Sequence, residues 1–185
     1  MRIGIDFDGV ITHTMPAMVA YAARQLDMTL TELECMRPAG PLRLGEDGYL
    51  ALIRDTHETP YALTFAPTNG LVDAMTHLRA DHELFVVTNR AGAALDRAEE
   101  WLAAHGVRSA LAAVVHASTG SGKVEAARRL KLDVMLDDWP ENLGGLDAAT
   151  RPILWSAAYN MDAAIPPRVR RVDGWDSFIE AIATP

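Results

Sequence analysis

The chain has 185 residues, 49% of them hydrophobic, which suffices for one filled core with a modest insertion and is too short for two full domains. Its 17 basic and 25 acidic residues leave a net charge of −8, which repels polyanions, and no run of Lys or Arg offers a strip to a nucleic acid polymer. A lone cysteine, Cys35, excludes a disulfide framework and a cysteine-based zinc site. The chain opens directly on a strand pattern, and no apolar stretch approaches the roughly 18 residues of a membrane span. A soluble cytoplasmic protein with no membrane partner is therefore expected.

The first pattern, Ile3-Gly4-Ile5 leading into Asp6-Phe7-Asp8-Gly9-Val10, is an apolar run suited to a strand buried in a parallel sheet. It ends in two carboxylates and a glycine. Residues two apart on an extended chain point the same way, so Asp6 and Asp8 converge beyond the sheet edge where open α/β folds bind ligands. Gly9 permits a sharp turn there. From residue 15 to 58 the texture changes to helical stretches, Met15 to Leu26 and Gly48 to His57, around the Pro/Gly-broken segment Arg37-Pro38-Ala39-Gly40-Pro41.

Regular alternation begins after Pro67. A helix is predicted near Gly70 to Arg79, a strand at Leu84 to Val87 ending in Thr88, and a helix over Ala93 to Ala104 stopped by Gly106. A strand at Ala113 to His116, a Gly/Ser loop, a helix from Val124 to Leu130 and a strand at Val134 to Leu136 ending in Asp137-Asp138 follow. Pro140 opens another helix. The tail offers a strand at Ile153 to Trp155, an irregular Pro166-Pro167 segment, a short strand at Val169 to Val172 and a closing helix from Asp176 to Ala183. This alternation predicts an α/β fold, a Rossmann-like parallel sheet with helices on both faces. Residues 1–11 and 67–185 form the core domain, and residues 12–66 a small helical cap inserted after the first strand.

Polar residues end three of these strands: Asp6 and Asp8, then Thr88 and Asn89, then Asp137 and Asp138. A parallel sheet puts all of them on one edge. Four carboxylates in one site repel each other, so a hard divalent cation with oxygen ligands is expected, Mg²⁺ first. Lys123 stands where a helix begins, although a cation there opposes the macrodipole by a few tenths of a kcal/mol to about 1 kcal/mol. Only Lys123 and Lys131 are lysines, so a compact ammonium at position 123 is read as a point charge for phosphate and carboxylate. It does not belong to a phosphate-binding P-loop, because Val124 follows where Ser/Thr is required and the first glycine would fall at Ala117.

Asp6-Phe7-Asp8-Gly9-Val10, Thr88, Lys123 and Asp137-Asp138 resemble, in order, the four motifs of the haloacid dehalogenase superfamily of phosphatases. Finer features resemble the cytosolic type C 5′(3′)-deoxyribonucleotidase family: Thr88-Asn89-Arg90, Asp137-Asp138 followed by Pro140-Glu141-Asn142, and Tyr159-Asn160. Against that family's pattern, Trp139 stands where Arg is common, Ala158 replaces a common Pro, and the cap has no Trp to sandwich a base. The resemblance implies a Mg²⁺-dependent phosphomonoester hydrolase. Asp6 would be the nucleophile that becomes an aspartyl-phosphate, and Asp8 the acid and then the base. Asp6, the backbone carbonyl of Asp8 and Asp138 or Asp137 would hold the metal. Gly9, Thr88, Asn89, Arg90 and Lys123 would bind substrate, with Thr88 and Lys123 also counted as catalytic. The sequence does not decide between Asp137 and Asp138 as direct ligand.

A small phosphorylated metabolite is the expected partner, a (deoxy)nucleoside monophosphate first. A sugar-phosphate phosphatase and a non-catalytic phosphate-binding regulatory protein are the alternatives, and a homodimer is left open. Dehalogenation is disfavoured, because that branch uses neither the metal nor the second Asp. His13 is read as a loop histidine, and His77, His82, His105 and His116 as structural or surface groups. Tyr21, Tyr49, Tyr61 and Phe65 are candidates for the cap side of the pocket, read first as core aromatics.

Overall fold

The computed structural model describes residues 1–183. Six parallel strands form one sheet: β1 (Arg2–Ile5), β2 (Glu83–Thr88), β3 (Leu111–His116), β4 (Val134–Asp137), β5 (Arg151–Trp155) and β6 (Arg170–Val172). Their order across the sheet is β3-β2-β1-β4-β5-β6. The helices are α1 (Thr14–Gln25), α2 (Ala39–His57), α3 (Leu71–Leu78), α4 (Gly92–Ala104), α5 (Gly122–Leu130), α6 (Pro140–Gly144) and α7 (Trp175–Ala183).

Alternate strand residues fill two cores, one on each face. Ile3, Ile5, Leu84, Val86 and Ile153 pack with Trp101 of α4 and Phe178 of α7. Phe85, Val87, Met135 and Leu154 pack with Ala126 and Ala127 of α5 and Leu143 of α6. Gly4 belongs to the crowded second face, where a Cβ would run into Leu132 and Met135. Strands buried on both sides are apolar throughout, which is why they read so plainly in the sequence.

The expected insertion is a helical region between β1 and α3. Its two ends are tied together, with His13 N–H donating to Ala66 O at 2.9 Å and Thr68 N–H to Ile11 O at 3.0 Å. A third apolar cluster lies inside it, with Met15, Met18 and Ala22 of α1 against Leu30, Cys35 and Leu52. The segment read as Pro/Gly-broken is helical from Ala39, a correction to the sequence reading: Pro41 falls in the first turn, where its missing N–H has no intrahelical acceptor to lose. The break comes later, at Gly45, whose φ of 73° kinks α2. Tyr159 of the core packs against this same cluster.

The candidate site follows from strand order. β1 lies between β2 and β4, so Asp6, Thr88 and Asp137-Asp138 leave three neighbouring strands at one sheet edge. Between β1 and β4 the order reverses direction, the switch point at which open parallel sheets leave a crevice for ligands.

Candidate active site

Asp6 follows the last residue of β1, and its backbone N–H still donates to Leu136 O of β4 at 2.9 Å. One carboxylate oxygen, Oδ1, accepts the Phe7 N–H at 2.7 Å, and the other lies 2.7 Å from Lys123 Nζ. Lys123 sits in the first turn of α5, buried, and also donates to Asp137 Oδ2 at 2.6 Å. The opposing dipole of α5 is thus offset by two carboxylates. Asp137 uses its remaining oxygen, Oδ1, on the Trp139 N–H at 2.8 Å and the Asn142 amide at 3.0 Å. Asp138 receives a short hydrogen bond from the Tyr159 hydroxyl on Oδ2, and its backbone carbonyl accepts from Asn160 at 2.7 Å.

Asp6, Asp137 and Asp138 each offer a carboxylate oxygen within 4.8 Å of the others, and all three are buried. Burial pushes the Asp6 carboxyl well above its ordinary range, with Asp137, Asp138 and Asp8 adding to the effect against Lys123. Burial, then Asp137, pushes Asp138 up to about 7. Burial alone would lower the Lys123 ammonium, but Asp137 and Asp6 outweigh it and hold the group charged. The carboxylates Asp6, Asp8, Asp137 and Asp138 face the cations Lys123 and Arg90, an excess of negative charge. An all-oxygen donor set with uncompensated negative charge fits a hard divalent cation. Asp138 Oδ1 is free of protein hydrogen bonds among the described residues. Asp137 is occupied in holding Lys123.

Asp8 is turned the other way. Its carboxylate accepts from Arg90 Nε at 2.9 Å, from the second guanidinium nitrogen at 2.7 Å and from Thr14 Oγ1 at 2.6 Å. Arg90 is buried, its guanidinium 4.8 Å from the Phe7 ring centre and 5.5 Å from that of Phe65. Burial would raise the Asp8 carboxyl, but the Arg90 charge and hydrogen bonds overcome it and hold Asp8 well below the usual carboxylate range. His57 Nε2, at the end of α2, lies 3.9 Å from Asp8. Burial and the adjacent Arg90 lower the His57 imidazole to about 4, so it is neutral at pH 7 and forms no ion pair.

The carboxylates open onto a cavity of about 440 Å³. Asp6, Asp8, Asp138, Lys123 and Asn89 line its polar end, and Met15, Met18, Met36, Tyr49, Ile53 and Trp139 its apolar side. Asn89 ties the end of β2 to the loop after β3 by donating to Ala117 O at 2.8 Å and Ser118 O at 3.1 Å. Gly9, with φ 81°, turns the chain beneath Asp138 and Tyr159, where a Cβ would strike both side-chain oxygens.

Residues 1–184 match the family described as 5′ nucleotidase, deoxy (pyrimidine), cytosolic type C protein. The chain belongs to that family. Solved structures give the same fold at low identity. A haloacid dehalogenase-like hydrolase from Streptococcus pneumoniae is 12% identical with a TM-score of 0.71, over 98% of this chain and 96% of its own. A predicted phosphatase from Clostridium acetobutylicum is 16% identical with a TM-score of 0.69, over 100% and 98%. Protein tyrosine kinase A from Mycobacterium tuberculosis is 18% identical with a TM-score of 0.70, over 99% and 98%. Comparison with curated proteins finds no match. The spread of names shows that fold alone does not set activity. Family membership together with the Asp6-Asp137-Asp138 cluster identifies a haloacid dehalogenase-superfamily hydrolase of the phosphatase type.

In this deoxyribonucleotidase-family chain, Asp6, Lys123, Asp137 and Asp138 are gathered into one group of contacts, and Asn89 lies at the cavity rim. Thr88 is fully buried, its hydroxyl accepting the Arg90 N–H at 3.2 Å. Arg90 reaches Asp8, so three of the four carboxylates expected together form the cluster and Asp8 stands apart on its own cation. Of the cap aromatics, Tyr49 lines the cavity, whereas Tyr21 and Tyr61 pack on each other at 4.9 Å. His57 and Thr14 received no role from the sequence. Tyr49, Ile53 and His57 are spaced by four on one helix, which was the available signal that a single face of α2 looks into the site. Among the described residues no helix is long and apolar enough to cross a membrane.

Proposed function

We propose that the protein hydrolyses small phosphate monoesters with Mg²⁺, that nucleoside monophosphates are its substrates, and that residues 12–66 act as the cap that selects them. The observation that carries the reading is the buried Asp6–Lys123–Asp137 arrangement beside Asp138, which presents one carboxylate oxygen for attack and retains an acidic remainder for a cation. Asp6 and Asp138 would hold the metal with the Asp8 backbone carbonyl, and when bound it supplies positive charge to the phosphoryl oxygens.

Asp6 attacks phosphorus through a carboxylate oxygen, the bond from phosphorus to the ester oxygen breaks, and an aspartyl-phosphate forms. Lys123 offsets charge on Asp6 and on the transferring group, while the Thr88 hydroxyl and the amides near Asn89 bind the remaining oxygens. Asp8 gives its proton to the departing alcohol. It acquires that proton when a phosphate dianion approaches, because a neighbouring negative charge raises the proton affinity that Arg90 and Thr14 hold low. Afterwards Asp8, ionised again, takes a proton from the water that cleaves the acyl-phosphate.

A panel of nucleoside monophosphates, sugar phosphates and p-nitrophenyl phosphate, each assayed with Mg²⁺ and with excess chelator, tests this. Turnover that needs Mg²⁺ and disappears in Asp6→Asn is expected, with the nucleotides preferred. Turnover undiminished in chelator, or surviving in Asp6→Asn, overturns the mechanism, and preference for sugar phosphates overturns the substrate.

A further inference from the structure

Four tryptophans occur in the chain, and three are buried in ring contacts. Trp101 meets Phe7 edge-on at 5.6 Å and gives its indole N–H to Phe65 O, and Trp155 and Trp175 lie against each other at 4.9 Å. Trp139 differs from all of them. It is half-buried, lines the 440 Å³ cavity, and among the described residues has neither a ring contact nor a hydrogen bond from its indole. Its backbone is nevertheless fixed, since its N–H is held by Asp137 at 2.8 Å and Pro140 starts α6 immediately after it. A large flat side chain anchored one residue from Asp138 thus lines the cavity with part of its surface exposed.

The residues that the insertion contributes to the cavity are largely apolar as well, among them Met15, Met18, Met36 and the Tyr49 ring, which carries the Arg37 guanidinium 5.1 Å from its centre. Three of the groups able to read the hydrogen-bonding edge of a ring are committed elsewhere. The Asn89 amide donates to the Ala117 and Ser118 carbonyls, the Asn142 amide to Asp137, and Arg37 pairs with Glu46. Stacking satisfies a ring's face whatever its edge carries.

We propose that Trp139 is the specificity-determining residue on the core side of the site. Its indole stacks on a flat ring borne by the leaving group and selects ring-bearing phosphate esters as a class, without distinguishing one base from another. The proposal rests on the phosphatase reading and adds to it a residue and a rule of selection.

The test compares thymidine 5′-monophosphate, adenosine 5′-monophosphate and ribose 5-phosphate on the full chain with Mg²⁺, in the parent, Trp139→Ala and Trp139→Phe. In the parent both nucleotides should exceed ribose 5-phosphate in kcat/KM by about 5- to 150-fold and lie within about fivefold of each other. Trp139→Ala should lose that advantage for both nucleotides while ribose 5-phosphate is turned over as before, and Trp139→Phe should recover most of it. A parallel fall for all three esters, an advantage that survives in Trp139→Ala, or a gap above tenfold between the nucleotides overturns the proposal. Tryptophan fluorescence of Asp6→Asn, titrated with the same three ligands, reads stacking without turnover. Quenching by the nucleotides alone, absent when Trp139→Phe is added, supports the inference even if no ester is hydrolysed, and equal quenching in both proteins overturns it. Absence of turnover with every ester falls on the phosphatase reading instead.

Discussion

Replacing Arg90 by Met should uncover what it costs to hold Asp8 ionised. Arg90 supplies two charge-assisted hydrogen bonds to Asp8, and the guanidinium itself is buried between two phenyl rings. Breaking a buried pair from one side costs about 3–5 kcal/mol. The Asp8 side chain is 22% exposed and keeps its Thr14 bond, so the lower figure of about 3 kcal/mol applies. At this chain length that lowers Tm by about 6–12 °C. The dependence on pH carries the sign. In the parent, Asp8 lies below its ordinary range, so the pair's stabilisation is complete above about pH 4 and is lost as pH falls further. Without Arg90, burial raises Asp8 instead, and the penalty should be largest at pH 7 and shrink as Asp8 takes a proton on the way to about pH 5.

Thermal and urea unfolding in chelator at pH 5, 6 and 7 measure this. Asp6 and Asp138 titrate in both proteins, and because loss of Arg90 also relieves the charge that lowers His57, both proteins are compared in a His57→Gln background. In the cycle with Asp8→Asn and the double variant, a coupling of about 2–3 kcal/mol is expected at pH 7. A penalty below about 1 kcal/mol, the same penalty at pH 5 and 7, or additive single substitutions would refute the account of Asp8 as a carboxylate held charged by Arg90.

Calorimetric titration with Mg²⁺ should show Asp138→Asn losing at least about tenfold more affinity than Asp137→Asn, since loss of a neighbour to a ligand costs less than loss of the ligand; the opposite order would exchange their roles. Asp137→Asn should instead lower Tm, because Lys123 keeps only Asp6 as a charged partner. With Asp138 pushed up to about 7 in the metal-free protein, Mg²⁺ must displace a proton below that pH. Because Asp6 is raised as well and both carboxylates must be ionised to take the metal, affinity should climb with pH from about pH 5.5, and a flat profile would contradict the assignment. Gly9→Ala should destabilise by about 1–3 kcal/mol and weaken Mg²⁺ binding, because its φ of 81° is strained for alanine and the added methyl meets Asp138 and Tyr159; unchanged Tm and affinity would refute that crowding.

Much of the architecture could be read in advance for a physical reason: strands buried on both faces must be apolar throughout, and Leu84 to Val87 or Val134 to Leu136 satisfy that rule without help from the rest of the chain. The carboxylates stand out because each interrupts such a run. What stayed illegible depends on distant partners. Nothing local in β4 says that it pairs with β1 and not with an outer strand. Arg90 reads as a ligand for phosphate because its competitor, Asp8, is 82 residues away in the chain. His57 shows only as the polar end of an amphipathic helix until α2 is folded over β1. The start of α2 is hidden because Pro38, Gly40 and Pro41 together read as a break, although Pro41 falls in the first turn, where a helix tolerates it.

Tyr159 gives the molecule a mechanical property. Its ring is lodged among the apolar side chains of the helical insertion, and its hydroxyl is fastened to Asp138. Any repacking around Met15, Met18 or Leu52 that shifts this ring therefore pulls on a carboxylate proposed to grip the cation. On the proposed assignment, selectivity and metal affinity would be geared together by one phenol, so substitutions made to redirect the choice of substrate should be accompanied by a fresh titration of the metal.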